Sequence, residues 1–381
     1  MSRNDALAAK PGIKLSDEQR IAWLRLIRSE NVGPSTFRDL INHFGTAGDA
    51  LDALPDLASR ASSGKRIRIA SLNEIEQELQ RLAHIGGTTV CLGEAEYPPA
   101  LRTADGAPPV LSVRGSTDIL TRHGVAFVGS RNSSLAGVKL TKQLAAQTAD
   151  AGYSIISGLA RGIDSTAHEA SLSQGTIAVF AGGVDHIYPH ENARLANDII
   201  SNGGALISEM PFGWKPRAQD FPRRNRIVAG IALGLVVVEA AKRSGSLISA
   251  RLANEMGRLV FAVPGSPLDP RSEGANHLIK QGAQLITSAD DILQAMEPLA
   301  NEPLQSAYTL NEDTYQTELE TDPSNSDREK LLSALGHAPT EIDELLRFTS
   351  IAPGSLHMLI LELDLAGIIE RHTGNRISLA G

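Results

Sequence analysis

The chain has 381 residues, 42% of them hydrophobic and 21% charged; that is more than one ordinary domain and enough apolar material for packed cores, so two or three domains are expected. A formal charge of −8 means that any nucleic-acid site must be a local basic patch, because the field of the whole molecule is acidic. One cysteine, Cys91, excludes an internal disulfide framework and fits a reducing cytoplasm, no apolar run is long enough to span a bilayer, and Met1 to Asp5 lacks the plan of a secretory leader.

Residues up to about Lys14 read as a disordered lead. Ser16 then caps a helix with Ile21, Leu24 and Ile27 along one side, and Val32-Gly-Pro34 opens a second helix toward Phe44. This helix, hairpin and helix resemble SAM-like or helix-hairpin-helix modules, which touch nucleic-acid backbone or protein. Further helix through His84 completes an N-terminal domain over residues 1–85.

From Thr88 strands and helices alternate, the mark of an α/β domain with a doubly wound parallel sheet, Rossmann-like, over residues 86–300. Cys91 falls in the apolar run Thr89 to Leu92 and reads as core. Val125 to Val128 is apolar without alternation, as in a parallel strand covered on both faces. Tyr153 to Ile156, Thr176 to Phe180, Ala205 to Ser208, Leu233 to Glu239 and Arg258 to Pro264 supply further strands. Ligands of such sheets sit at the carboxyl ends of the strands, which gathers the turns that follow them onto one surface.

The turn Gly129-Ser-Arg-Asn-Ser-Ser134 precedes a helix whose first N–H groups lack partners. An anion is its natural guest, and Arg131 adds a full positive charge. The spacing Gly129…Gly137 satisfies neither the dinucleotide fingerprint nor the P-loop. Arg161 stands near where a nicotinamide enzyme needs a carboxylate, so NAD is disfavoured and no cofactor is expected. Trp214 to Arg226 holds five cations against Asp220, with Trp214 and Phe221 among them. Cations interleaved with aromatic faces are how single-stranded nucleic acid is held without base-pair readout; a solvated charge run is the plain alternative.

Asp164 and His168 share a helix face, but no third ligand is spaced to join them. A helix cap and a bond to a neighbouring loop are expected, and no metal site. Glu239 ends a strand at the ligand edge, and two readings stay open: a catalytic carboxylate or the partner of an arginine. Ser244-Gly-Ser246 lacks a partner histidine and reads as a helix cap and anion donor, so no catalytic residue is expected.

Residues 301–326 read as a flexible linker. Three helices, Asp327 to Leu335, Thr340 to Leu346 and Pro353 to Ala366, and a small hairpin then make a winged-helix plan over 327–381. Its third helix offers Leu356, Met358, Leu359, Ile360 and Leu363 with acids between them, where a groove-reading helix presents Arg, Asn or Gln. The module therefore reads as an interaction or auxiliary domain.

The motifs Phe127-Val-Gly-Ser-Arg131, Ser157-Gly-Leu-Ala-Arg-Gly-Ile-Asp164 with His168, Gly183-Val-Asp-His-Ile-Tyr-Pro-His-Glu-Asn192, Ser208-Glu-Met-Pro211, Phe221-Pro-Arg-Arg-Asn-Arg-Ile-Val-Ala-Gly230, Val238-Glu-Ala240 with Ser244-Gly-Ser-Leu247, and Ala262-Val-Pro-Gly265 resemble the DNA-processing protein A (DprA/Smf) family. The resemblance implies a cytoplasmic bacterial protein of natural transformation, or competence. Such a protein binds and protects incoming single-stranded DNA, loads the RecA recombinase onto it, forms a homodimer through the sheet domain, and performs no turnover and needs no membrane. By motif, Gly129, Ser130 and Arg131 should grip phosphate with Arg161 beside them. Phe221, Arg223, Arg224, Asn225 and Arg226 should line the strand's path, and Ser244 and Gly245 complete the set. His190, where some relatives carry a DNA-contacting lysine, is mostly neutral at pH 7. Two other classes compete: a nucleotide phosphoribohydrolase of the lysine-decarboxylase-like family, whose catalytic-glutamate loop is missing at Lys242 to Ser249, and a winged-helix regulator that reads duplex DNA.

Overall fold

A computed structural model of the chain describes residues 14–61, 67–301, 323–372 and 374–381. These form two compact units, one over 78–301 and one joining 15–77 to 323–381. The expected lead and most of the expected linker, residues 1–13 and 302–322, lie outside the described residues.

The larger unit is built on a nine-stranded sheet in the order β1-β2-β6-β5-β4-β3-β7-β8-β9. In chain order these are β1 (Gly87–Cys91), β2 (Val110–Gly115), β3 (Gly124–Val128), β4 (Ser154–Ser157), β5 (Thr176–Val179), β6 (Ala205–Ser208), β7 (Gly234–Val237), β8 (Leu259–Ala262) and β9 (Gln284–Leu285). From β6 to β9 every neighbouring pair is parallel; β2 pairs antiparallel with both β1 and β6. The Pro108 to Gly115 segment thus joins the sheet as β2 and makes it mixed at one end. β5 stops at Val179, one residue short of the expected strand.

Every residue of β3 is buried, as a centre strand without alternation requires. Val125 and Phe127 join a core with Leu144, Ala145, Ile163, Val236 and Phe261. That core is covered by α6 (Leu135–Asp150), α7 (Ile163–Ala170) and α12 (Ala289–Asn301). The remaining helices of the unit are α5 (Pro99–Arg102), α8 (Ala193–Ser201), α9 (Asp220–Ile231), α10 (Gly245–Glu255) and α11 (Glu273–Lys280). α9 packs on the opposite side of β3, which shields Ala126 and Val128. Cys91 is fully buried.

The smaller unit begins with α1 (Asp17–Ile27), α2 (Pro34–Phe44), α3 (Ala47–Ala61) and α4 (Leu72–His84), the last running across into the larger unit. Ser16 accepts from the Gln19 amide while the Gln19 side chain accepts from the Ser16 amide, a complete capping box. The winged-helix domain follows with α13 (Asn325–Ala334), β10 (Thr340–Glu341), α14 (Ile342–Thr349), α15 (Pro353–Leu365), β11 (Ile369–His372) and β12 (Arg376–Leu379). Its sheet has the order β10-β12-β11. Thr340 and Glu341, expected as the start of a helix, pair instead with Ile377 and Arg376.

Candidate nucleic-acid interface

Strand β3 lies between β4 and β7, where successive strands stop adding on one side of the sheet and begin on the other. A crevice opens at such a switch point, outside the carboxyl ends of the strands. Its floor is the turn from Gly129 to Ser134. A Cβ on Gly129 would stand 2.6 Å from Ile163 Cγ1 and 3.1 Å from the Glu239 carbonyl oxygen, so only glycine lets this turn sit so low.

The anion at the start of α6 is supplied by the chain itself. The Glu239 carboxylate accepts from the Ser134 amide at 2.9 Å and its hydroxyl at 2.5 Å, and Ser134 Oγ accepts from the Gly137 amide at 2.9 Å. A Cβ on Gly137 would meet that carboxyl at 2.7 Å. Glu239 caps α6 across the switch point and complements the helix dipole, a role beyond the two left open for it; of those two, the pairing with an arginine has support, because its charge helps raise the pKa of Arg271, after Asp269. The grip on an external phosphate then falls to the earlier part of the turn and to Arg131.

Arg131 is exposed, with its guanidinium carbon 5.8 Å from the centre of the Phe221 ring. Phe221 in turn meets Tyr188 edge to face at 5.5 Å, and Tyr188 is 51% exposed. A cation and two rings therefore converge from three separate turns, after β3, after β5 and at the start of α9. Tyr188 was not singled out from the sequence; its only signal was to be the aromatic residue two positions before His190. His190 itself is exposed on a single 3₁₀ turn, His190–Asn192.

Arg161, on the turn after β4, is exposed and pairs with Glu191. Its turn is pinned from both sides. Asp164 accepts from the Gly158 amide at 3.1 Å and the Ala160 amide at 3.3 Å, and Asn192 donates to the Leu159 carbonyl at 2.8 Å. Asp164 thus holds the preceding turn, not the helix end it was expected to cap. Burial raises its pKa, against the pull of Arg224 and the two amides. His168 bonds Thr176 on β5 at 2.8 Å through Nδ1, a strand where a loop was expected. Burial, with Arg224 acting in the same direction, takes it down to about 3. Among the described residues no cluster of His, Cys, Asp or Glu could hold a metal ion.

The basic stretch divides by depth. Arg224 points inward: it is 6% exposed and donates through Nη1 to the Gly158 carbonyl at 2.8 Å and to that of Val179. A Cβ on Gly158 would lie 2.2 Å from that nitrogen. Burial, with Arg131 nearby and Asp164 opposing, brings its pKa down to about 10. Arg226 is spent on Glu209 and the Gly106 carbonyl. These two cations, expected along the DNA path, brace the walls of the edge: α9 turns position 224 inward with Ile227 and Val228, and Arg226 is held by Glu209 and the Gly106 carbonyl.

Arg223 remains half-exposed, 3.3 Å from Glu209. Arg217 stacks over Trp214 at 4.4 Å, and Asp220 accepts from the Trp214 indole at 3.0 Å and the Arg217 amide at 2.8 Å. Lys215 is exposed. Asn225 reaches the Gly245 carbonyl only at 3.5 Å, and Ser244 caps α10 by accepting from the Ser246 amide at 3.3 Å. Arg131 thus stands over the Phe221–Tyr188 ring pair, and Arg161, Lys215, Arg217 and Arg223 are the other outward cations of the turns and helix start at this edge. Exposed ion pairs contribute about 0–1 kcal/mol, so a phosphate can displace the Glu191 carboxylate that Arg161 now holds.

Comparison with known proteins shows what this chain is similar to. The family described as DNA recombination-mediator protein A matches residues 88–297, a DprA-like N-terminal HHH domain matches 17–80, and a DprA winged helix domain matches 316–375. Protein Smf of Escherichia coli is 39% identical over 74% of this chain and 75% of its own length. The DNA processing protein DprA of Streptococcus pneumoniae is 46% identical over 53% of this chain and 71% of its own. The solved structure of that pneumococcal protein aligns with a TM-score of 0.59 at 33% identity, covering 74% of this chain and 98% of the other. The structure of DNA processing protein A from Helicobacter pylori, described for its single-stranded DNA binding mode, aligns at 0.52 and 29%, covering 57% of this chain and 98% of the other.

Proposed function

Because the chain belongs to the DNA recombination-mediator protein A (DprA/Smf) family, we propose that the carboxyl-end edge of its sheet holds single-stranded DNA without regard to sequence, as part of natural transformation in the bacterial cytoplasm. The observation that carries this reading is the convergence of Arg131, Phe221 and Tyr188 from three turns. Guanidinium groups take phosphates in charge-assisted pairs, and ring faces accept any base, so affinity is set by the backbone and by stacking. The protein shields the strand, passes it to the RecA recombinase, and works as a homodimer. No chemical turnover is assigned to it: Glu239, the carboxylate best placed for hydrolysis, is engaged as a helix cap.

The test is anisotropy titration of oligo-dT and of a duplex of equal length at two salt concentrations. Oligo-dT should bind more tightly, with a log–log salt slope of about −0.7 for each phosphate contacted. Equal affinity for the two, or a salt-independent signal, rejects the site. Incubation with nucleoside monophosphates should release no free base; release at useful rates would make the chain a phosphoribohydrolase. Stimulation of RecA assembly on strands coated with single-strand-binding protein tests the hand-over separately.

A further inference from the structure

Helix α15 is the position from which a winged helix reads a duplex. One of its faces, Leu356, Leu359, Ile360 and Leu363, is packed into the core of its own domain with Leu331, Ile342, Leu345, Ile369 and Ile377. Over the C-terminal half of α15 the opposite face is buried as well: Leu361, Glu362 and Leu365 are at most 2% exposed, while His357 one turn earlier is exposed. It packs against α3 and α2 of the N-terminal bundle.

The polar groups of this contact are matched across it. Glu362, with no exposed side chain, takes Arg328 of its own domain at 2.5 Å and lies 3.6 Å from Arg60 of α3. Asp364 accepts from Thr36 of α2 at 2.7 Å and from Arg371 at 2.7 Å, and Arg371 also donates to Asp39 of α2 at 2.7 Å. Asn31, in the hairpin between α1 and α2, donates to the carbonyl of Leu365 at 2.8 Å. Burial raises the pKa of Asp364 against the opposing pull of Arg371.

We propose that the C-terminal winged-helix domain is an intramolecular docking module whose partner is the N-terminal helical bundle, and that α15 is a docking helix and reads no duplex. Three features support one conclusion. The groove-facing side of α15 is covered over its C-terminal half, its side chains there are acidic and apolar where a reader carries donors, and those acids face residues of α2 and α3. The hairpin of the bundle, the part by which such modules touch nucleic-acid backbone, is engaged at the end of the same helix. Neither terminal module is then a DNA contact, and the two ends of the chain close on each other.

Hydrogen–deuterium exchange on the full chain tests this, with Asp39→Ala, Arg371→Ala, their double variant, and Asp39→Arg, which sets two cations face to face. Asp39→Arg should raise exchange in residues 34–44 and 353–365 together, by about tenfold. Asp39→Ala should raise it in the wild-type background and add nothing when Arg371 is already Ala, because the pair no longer exists to be broken. Exchange in 353–365 that ignores position 39, or additive effects in the double variant, overturns the contact. Duplex affinity of Asp39→Arg, read by anisotropy on a 20-bp duplex, should stay within about twofold of wild type. A tenfold gain on opening would make α15 a masked reader and overturn the docking assignment.

Discussion

Arg223 and Arg224 are adjacent on one helix and have opposite environments. Arg224 satisfies two buried carbonyls near the ends of β4 and β5, so Arg224→Ala should cost about 3–5 kcal/mol and lower the melting temperature, with DNA affinity falling only as the edge loosens. Arg223→Ala should leave the melting temperature within about 2 °C, a surface substitution of less than ~0.5 kcal/mol, and lower affinity for oligo-dT. The same titration applied to Arg131→Ala should show about tenfold weaker binding and a salt slope shallower by about 0.7, with the fold unchanged by circular dichroism; unaltered binding removes Arg131 from the site. His168 supplies a pH dependence. Its folded pKa of about 3 lies below the unfolded value near 6.5, so the unfolded chain binds the extra proton between them. The contribution of neutral His168 is complete above pH 6.5 and is lost as pH falls, by about 2 kcal/mol between pH 6.5 and 5. His168→Gln should flatten that part of the stability profile; an unchanged acid slope in urea titrations would show that the ring does not sense burial this way.

At the scale of elements, the switch point between β3 and β7 is closed by a carboxylate of the chain's own. Removing the charge with Glu239→Gln should cost α6 its charged cap, about 1–2 kcal/mol. It should also strengthen oligo-dT binding at low salt, since an anion leaves the edge where phosphates approach; weaker binding with intact fold would mean that Glu239 positions the strand. The elements themselves were legible in the residues. The apolar run of β3, the Ser16 cap and the Gly-Pro start of α2 have local causes that read directly from sequence. β2 was harder, because a strand that inserts antiparallel between β1 and β6 is defined by partners 90 to 96 residues away in one case. β10 was missed for the same reason: two residues become strand only because β12 lies beside them.

At the scale of the molecule, the two units should unfold separately. Calorimetry should resolve two transitions, and Glu362→Ala, which strands Arg328 and removes the acid facing Arg60, should lower one of them by several degrees while leaving the other in place. A shift of both would mean that the units melt as one. Five cations against one acid in Trp214 to Arg226 suggested a strong positive patch, yet the field at the edge is set by three dimensions. Two of those cations are spent on the chain's own carbonyls and Glu209, while Arg131 and Arg161 arrive from turns far away in sequence. Sequence by itself determined the parallel strands from β3 to β8, the Ser16 and Ser244 caps and the family, since each rests on local sterics, periodicity or ordered motifs. Only the tertiary structure decided which arginines face solvent, that Tyr188 joins Phe221, that Glu239 occupies the helix start, and that the two ends of the chain share one unit. Burial and charge pairing depend on neighbours brought close by folding, and no window of residues contains them.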